Sequence, residues 1–295
     1  MSETLQMAIK PGTRGRTIWQ VITATIYRAL SIALLAFASL VALFPLYFLF
    51  VTALKGQAEF VRNQLGPPMQ PLLSSFAKAF GGREIPLWFL NSTVLTAASV
   101  LLVTLVSSLA AYAFARMSFR GRDALFNAII SLMVVPPVVM IIPLFVLVVR
   151  IGLVNTLTSV ILVYVGLMLP FSIYMLTSFF KTVSQEIVDA AIVDGCSDFM
   201  VYLRIMLPLA RPALTTLVIV NALFVWNELL VALVLLQKNE LKTLMVGLTA
   251  FKSRYNMDVP TAMAGLVIAT VPLILLYLAG QRHFIRGLVA GSLKE

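Results

Sequence analysis

Long apolar stretches alternate with short polar ones along this chain. Five of them run for 23 to 31 residues without an Asp, Glu, Lys or Arg: residues 29–54, 85–115, 124–149, 151–180 and 259–281. A sixth, at roughly 213–236, is apolar apart from Glu228. About 20 apolar residues cross a bilayer, and a helix satisfies its own backbone groups where lipid cannot. The pattern therefore predicts six transmembrane helices and an all-α membrane protein.

Prolines occur inside several of these stretches: Pro45, Pro136, Pro137, Pro143, Pro170 and Pro272. Proline removes a backbone donor and tends to kink a helix, yet it is also common in membrane helices. Two interpretations stay open, ordinary bundle packing or bent helices that line a path. The first apolar stretch exceeds the apolar region of a signal peptide, which has about 7–15 residues. We therefore expect it to be retained as a span.

Composition agrees with a membrane protein. Of the 295 residues, 60% are hydrophobic and 12% are charged, and the mean hydropathy is +0.98. Soluble domains have about 25% charged residues. The net charge of +10 does not indicate nucleic acid as a partner, because the basic residues flank apolar stretches and do not cluster. The single cysteine, Cys196, excludes an internal disulfide.

The basic residues also suggest an orientation. Six spans place both termini on one side, and that side carries thirteen of the 22 basic residues. Because basic loops are typically cytoplasmic, we expect cytoplasmic termini. The predicted organisation is a cytoplasmic segment at 1–27, a six-helix domain at 28–286 with a cytoplasmic insert at 183–212, and a cytoplasmic tail at 287–295. The loops at 54–88 and 237–261 would lie outside.

The insert at 183–212 has the pattern of two short helices. Ser184 or Thr182 can cap a helix over 186–193, and Glu186 lies in its first turn, where a carboxylate suits the helix dipole. Gly195 is suited to the turn that follows. A second helical segment is predicted at 197–206.

Two functions are compatible with this insert. In its second segment, Phe199, Tyr202, Leu203 and Met206 are spaced to share one face. A connector on the membrane surface usually carries Lys and Arg toward the lipid headgroups. Here aspartates dominate the first half, and a mere connector needs only a few residues. These features favour a protein-docking element over a connector without a partner.

The same stretch resembles the EAA loop of ABC-importer permeases. That signature consists of acid-Ala-Ala, Asp-Gly-Ala, an aromatic residue, Ile, Leu-Pro and a further Pro. It appears here as Asp189-Ala190-Ala191, Asp194-Gly195-Cys196, Tyr202, Ile205, Leu207-Pro208 and Pro212. Asp189, Cys196 and Tyr202 stand for the usual Glu, Ala and Phe. The shorter Asp189 would weaken or reposition one salt bridge to the partner.

Three further stretches resemble the carbohydrate branch of these permeases, the MalG-like subunits. They are Ala111–Met117 with Phe119–Arg122, Trp226–Glu228 and Gly287–Gly291. With the EAA-like loop they cover most of the chain from about residue 90 onward. Arg116, in the first of these stretches, either contacts an ATPase or anchors the end of its helix.

The resemblance implies a type I ABC-importer permease in the inner membrane, with a carbohydrate (an oligosaccharide or a sugar derivative) as its solute. Its implied partners are a second, similar permease, two cytoplasmic ATPase subunits and an extracytoplasmic solute-binding protein. The sequence contains no GxxxxGK[ST] phosphate-binding loop. We therefore expect a non-catalytic subunit without a cofactor or metal site of its own, and ATP with Mg²⁺ on the partner ATPases.

The resemblance also assigns roles to residues. It assigns ATPase coupling to Glu186, Asp189, Ala190, Ala191, Asp194, Gly195, Tyr202, Ile205 and Pro208. The tail at Gly287–Glu295 would reach between the ATPases. The outer loop at 237–261 would help to release solute from the binding protein.

Glu228 is the one carboxylate within a predicted span, and an acid in the membrane is a candidate functional residue. With Asn227 it could line the translocation path or lie at the subunit interface, or it could make a structural hydrogen bond within the bundle. A different hypothesis is an ion-gradient-driven transporter or channel that uses Glu228. The EAA-like insert and the lack of paired acids in the predicted spans favour the ATP-driven importer.

Overall fold

The computed structural model describes residues 18–81, 84–254 and 258–292, and every regular element in these ranges is helical. The helices are α1 (Ile18–Ala53), α2 (Gln57–Arg62), α3 (Ser74–Gly81), α4 (Glu84–Arg116), α5 (Arg122–Ser131), α6 (Pro137–Arg150), α7 (Leu157–Thr182), α8 (Gln185–Val193), α9 (Asp198–Val201), α10 (Leu207–Leu209), α11 (Arg211–Asn227), α12 (Leu230–Leu235), α13 (Leu244–Arg254) and α14 (Val259–Ser292). Shorter 3₁₀ turns lie at Leu132–Val134 and Asn239–Leu241, and a π turn lies at Tyr202–Met206.

Four helices are long and apolar enough to cross a membrane unbroken. They are α4 and α7 in full, Thr25–Ala53 within α1, and Val259–Leu278 within α14. They correspond to the first, second, fourth and sixth predicted spans. Pro45, Pro170 and Pro272 lie inside these helices without ending them, so each helix continues through its proline. The protein is an all-α, multi-pass membrane protein, with six spans when each of two bent helix pairs counts as one.

The third predicted span is bent, and its apolar stretch at 124–149 contains two helices. Residues 122–134 and 137–150 meet at an angle of 105°. Pro136 is extended, with φ −61° and ψ 131°, and Pro137 opens α6. A proline disfavours the helical conformation of the residue before it, and neither proline can donate a backbone hydrogen bond. The consecutive prolines therefore end one helix and start the next.

The fifth predicted span is also divided. α11 has only 17 residues and ends at Asn227. Glu228 is extended, with ψ 127°, and the six-residue α12 follows from Leu230. On the other side, residues 198–209 and α11 meet at 75°. The apolar stretch at 213–236 is thus two helices with a break at its only charged residue.

The chain forms two compact units, Met1–Phe50 and Val51–Glu295. In the first, large apolar side chains such as Leu34, Phe37 and Leu40 are exposed, which suits contact with lipid. In the second, α4 packs mainly on α7 and also on α11 and α13. Small buried residues on α4, including Ser99 and Ser107, allow the close approach of helices that is typical in membranes.

Two hydrophobic clusters organise the second unit. One joins α4, α6, α7 and α12 around Leu95, Val103 and Tyr164. The other contains residues of α4, α7 and α11 together with residues of the insert. The insert is therefore part of the folded unit and not a loose connector.

Candidate functional site

The first half of the insert folds as its sequence predicts. The hydroxyl of Ser184 accepts a hydrogen bond from the Glu186 amide at 3.3 Å and caps α8. Glu186 lies in the first turn, where its charge complements the helix dipole. α8 ends at Val193, and Gly195 follows with φ +84°. Glycine adopts this left-handed conformation without the cost that a side chain would bring.

The second half differs from its prediction. The helix begins after Ser197, whose hydroxyl accepts from the Met200 amide at 3.4 Å, and widens into the π turn at 202–206. The expected shared face does not form, because Tyr202 is 6% exposed while Phe199 is 62% exposed. Met206 is buried with Tyr202, and Leu203 is exposed like Phe199. The buried face is the one that meets α4 and α7, which hydrophobic spacing alone does not specify.

The inner side of the insert packs on the ends of three long helices. Val188 and Ala191 of α8 and Val201, Tyr202 and Met206 of the second segment are buried. They belong to the same cluster as Ala111, Tyr112, Leu176, Phe180 and Leu217 of α4, α7 and α11. The insert and the ends of these helices therefore share one hydrophobic cluster.

The predicted coupling residues divide into an outer and an inner set. Six are exposed: Glu186, Asp189, Ala190, Asp194, Gly195 and Pro208. Ile205 is half-buried. Ala191 and Tyr202 are buried, and the Tyr202 hydroxyl lies 2.8 Å from the Ser108 hydroxyl of α4. These two residues support the insert from inside.

The outer side of the insert is both acidic and apolar. Glu186, Asp189, Asp194 and Asp198 are exposed there. Apolar side chains lie among them, and Val193 at the end of α8 is 87% exposed. An exposed apolar patch that is bordered by polar residues is typical of a protein-interaction surface.

Three contacts hold the insert in place, and the sequence indicated only one of them, the anchoring role of Arg116. Arg116, at the end of α4, donates to the side chain of Gln185 and to backbone carbonyl oxygens near the end of α7. Gln185 Nε2 donates in turn to Asp189 Oδ1 at 2.9 Å. Ser108 is the third, through Tyr202. The position of Arg116 in the Ala111–Met117 stretch marked it as a candidate, and the structure shows it anchoring helix ends.

Glu228 has its partners within the chain. Its Oε2 accepts from the Tyr164 hydroxyl of α7 at 2.7 Å. Its Oε1 accepts from the Val231 amide at 2.9 Å, and Oε2 also accepts from the Ala232 amide at 3.2 Å. The carboxylate thus caps α12 and links it to α7. This agrees with one of the alternatives for Glu228, a structural hydrogen bond within the bundle. Neighbouring Asn227 is exposed and donates to Leu223 O of its own helix at 2.8 Å.

The loop after α12 is held by the start of α4. Trp88 Nε1 donates to Asn239 O at 2.8 Å. Asn91 Nδ2 donates to the carbonyl oxygens of Glu240 and Lys242 at 2.8 and 3.0 Å. This part of the predicted outer loop is therefore fixed to the bundle, while residues 255–257 lie outside the described chain.

A sequence model of one protein family matches residues 103–289, which is more than half of the chain. The family is described as the inner membrane component of binding-protein-dependent transport systems. The chain belongs to this family. The matched region contains the C-terminal part of α4, the insert and the Trp226–Glu228 stretch, so the resemblance to importer permeases is confirmed.

Individual permeases are similar over most of the chain. The arabinooligosaccharides transport system permease AraQ of Bacillus subtilis is 33% identical over 274 residues, which cover 92% of this chain and 97% of AraQ. The sulfoquinovosyl glycerol transport system permease SmoH of Agrobacterium fabrum is 33% identical over 253 residues, 85% of this chain and 89% of SmoH.

A solved structure supports the fold. It is the crystal structure of a bacterial ABC transporter involved in the import of alginate, an acidic polysaccharide. A chain of that transporter aligns with a TM-score of 0.80 and 21% identity, covering 89% of this chain and 98% of the other. At this identity the likeness establishes the permease fold.

Proposed function

We propose that this permease is the membrane-spanning subunit of an ATP-driven ABC importer for a carbohydrate, an oligosaccharide or a sugar derivative. The observation that carries the proposal is the insert at 183–212, which is folded onto α4, α7 and α11 and presents an acidic and apolar outer side. The carbohydrate class is supported by relatives that are named for arabinooligosaccharides and for sulfoquinovosyl glycerol.

In this proposal the outer side of the insert docks on a cytoplasmic ATPase. The docking residues are Glu186, Asp189, Ala190, Asp194, Gly195, Ile205 and Pro208, with Ala191 and Tyr202 supporting them from inside. ATP and Mg²⁺ bind to the ATPase, so this subunit is non-catalytic and needs no cofactor of its own. ATP binding favours one permease state only if the ATPase binds the insert better in that state.

The remaining partners follow from the same proposal. The subunit pairs with a second, similar permease in the inner membrane and receives solute from an extracytoplasmic binding protein. Its N-terminal segment at 1–27 and its tail at 287–295 are cytoplasmic. Residues 1–17 and 293–295 lie outside the described chain, as do the side chains of 279–292.

Asn227 and Glu228 have different roles in this proposal. Broken helices in transporters place backbone groups and polar side chains at a path through the membrane, and the break between α11 and α12 is of this kind. Asn227 is exposed beside that break, so we assign it to the translocation path or to the interface with the second permease. Glu228 maintains the break through its hydrogen bonds.

Purification and reconstitution test the function. We expect an affinity-tagged chain to copurify with an ATPase and a second permease. We expect the complex in proteoliposomes to take up the carbohydrate that is found by mass spectrometry on its binding protein, and only with ATP inside the vesicles. Uptake driven by an ion gradient without ATPase would instead establish the transporter that uses Glu228.

A substitution on the insert tests the docking surface. Val193→Glu places a charge on an exposed apolar position, and we expect it to reduce the copurified ATPase at least about tenfold, as for the loss of an interface anchor. Val61→Glu is the matched control, because Val61 is also exposed, at 66%, but follows α1 in the loop at 54–88. Equal ATPase recovery with both variants would contradict docking at the insert.

A further inference from the structure

Arg116 lies where three helices meet. It is the last residue of α4, and its guanidinium reaches the end of α7 and the start of α8. Nη1 donates to Gln185 Oε1 at 2.6 Å, and Nη2 donates to Phe180 O at 2.6 Å and to Val183 O. One side chain thus bonds to α7, to the connection between the helices, and to α8.

The end of α7 is a favourable place for this guanidinium. The last carbonyl groups of a helix have no partner within the helix and carry partial negative charge. A guanidinium presents several donors in a rigid plane, whereas the ammonium of lysine is a compact point charge on a flexible stem. The planar fork of Arg116 holds the carbonyl groups of Phe180 and Val183 together with Gln185 in one fixed geometry.

The hydrogen bonds continue along α8. Gln185 is the first residue of that helix, and its amide nitrogen donates to Asp189 Oδ1 at 2.9 Å. Asp189 is the position at which the insert carries the shorter acid. The two side chains are one helical turn apart, so their bond extends the link from Arg116 to the exposed side of α8.

Two more residues of α4 join the same contact. Ser108, Tyr112 and Arg116 are spaced by four residues and follow one another along one side of the helix. The Ser108 hydroxyl bonds to the Tyr202 hydroxyl. The ring of Tyr112 contacts the rings of Tyr202 and Phe180, with centroids 5.4 and 6.5 Å apart. This row on α4 therefore touches both halves of the insert and the end of α7.

We propose that Arg116 is the positioning residue that makes α8 move with α4 and α7 as one body, so that a change at the ATPase-docking surface reaches the membrane helices. This inference rests on the proposed function, because it takes α8 as the docking helix. Arg116 acts through Gln185 and through the end of α7, and it touches neither ATP nor solute.

Spin labels report the proposed linkage directly. In a chain with Cys196→Ser, one label is placed on α8 at Ile187→Cys and one on α4 at Leu109→Cys; both positions are exposed. The distance between the labels is measured in the purified complex in proteoliposomes. We expect Arg116→Met and Arg116→Lys to broaden this distance distribution at least about twofold, because local order is lost where the linking contacts are removed.

The lysine variant separates positioning from simple charge. If Arg116 served only as a basic anchor at the membrane surface, Arg116→Lys would keep the wild-type distribution, and this result would overturn the proposal. Arg120→Met is the matched control, since Arg120 lies four residues later, is exposed, and has no side-chain hydrogen bond within the described residues. It should leave the distribution unchanged.

ATP hydrolysis gives the functional readout. The probe is the binding protein purified from the same cells with its co-purified ligand. We expect both Arg116 variants to lower the stimulation of ATP hydrolysis by this probe about fivefold or more, in the range of ordinary coupling energies, with an unchanged amount of assembled complex. Unchanged stimulation would overturn the proposal. A wild-type chain that recovers no ATPase would instead refute the function on which the proposal rests.

Discussion

Glu228 shows at the scale of one residue how a costly group is retained in a membrane-spanning segment, at the break between two helices. Its carboxylate accepts from two backbone amides at the start of α12 and from the Tyr164 hydroxyl. Removing the donors of a buried acceptor lowers the stability of the folded protein the most, because the unpaired group stays desolvated. Glu228 is therefore placed to stabilise a helix break, and its charge does not require an ion as partner.

A double-mutant cycle measures this role. Glu228→Gln replaces one carboxylate oxygen by an NH2 group, which cannot accept a hydrogen bond, and we expect it to lower the free energy of unfolding by about 1–3 kcal/mol. Tyr164→Phe removes the hydroxyl donor and should cost about 1–2 kcal/mol. The double variant should cost less than the sum, with an interaction energy of at least about 0.5 kcal/mol. Additive losses would show that the two groups act separately.

Lys55 is a second charged residue with an internal role. It is fully buried, and its ammonium donates to Asn63 O at 2.7 Å, Gln64 O at 3.3 Å and Gly66 O at 2.6 Å. The loop after α1 therefore wraps around one positive charge. A buried cation is stable only when its donors are satisfied, and three carbonyl groups do so here.

Lys55→Met should open this loop. Removing the ammonium leaves three carbonyl groups without their donor, and we expect the free energy of unfolding to fall by about 2–4 kcal/mol. Lys78→Met is the control, because Lys78 forms an exposed salt bridge with Asp258 at 3.2 Å and such pairs contribute about 0–1 kcal/mol. Thermal unfolding of both variants in detergent gives the comparison, and equal losses would contradict the role of Lys55.

At the scale of the element, the insert combines rigid packing with one exceptional turn. Its inner side belongs to the bundle, whereas Gly195 joins its two halves with a positive φ. A Cβ atom at Gly195 would meet nothing within 4 Å. Within this chain a side chain at Gly195 meets no steric collision, so substitution strains only the backbone conformation of the turn.

Gly195→Val should therefore act through the turn. A β-branched residue is strongly disfavoured at positive φ, at a cost of about 1–2 kcal/mol or more. We expect ATP-driven uptake to fall while the amount of protein in the membrane stays at the wild-type level. Gly166→Ala is the control, because Gly166 lies within α7 and also has open space around its Cβ position. Loss of uptake in both variants would contradict a specific role of the Gly195 turn in transport.

At the scale of the whole molecule, the two ends of α4 contact different parts of the chain. One end of α4 holds the loop after α12 through Trp88 and Asn91. The other end holds the insert through Arg116 and Ser108. Because α4 has 33 residues and a helix rises about 1.5 Å per residue, it extends about 50 Å. One helix thus connects the proposed solute-delivery side with the proposed ATPase side.

The single cysteine allows this topology to be tested. Cys196 lies in the insert, which is cytoplasmic in the proposed orientation, and it is half-buried. A membrane-impermeant maleimide should therefore label it in inside-out vesicles and not in intact spheroplasts. The reverse pattern is expected for Cys196→Ser combined with Gln237→Cys, since Gln237 is an exposed residue of the opposite loop. Labelling of Cys196 from outside would show that the orientation is opposite to the proposed one.

The sequence by itself determined the features that depend on neighbours in the chain. It predicted the membrane class, the positions of six spans, a cap at Ser184 or Thr182 and the turn at Gly195, because apolar length, helix capping and the conformational freedom of glycine are local properties. It also contained the consecutive prolines, but the presence of proline alone does not show whether a helix continues through it or ends there. Pro170 lies within a continuous helix, whereas Pro136–Pro137 ends one.

Only the tertiary structure decided which side of the insert is buried and which groups Arg116 and Glu228 contact. Arg116 bonds to residues 64 to 69 positions away, and Glu228 bonds to Tyr164, 64 positions away. Periodicity assigns residues to faces, but the identity of the face that meets another helix depends on where that helix ends and how it is angled. The packing of α4 against α7 makes that choice, since it brings the end of α4 to the start of α8.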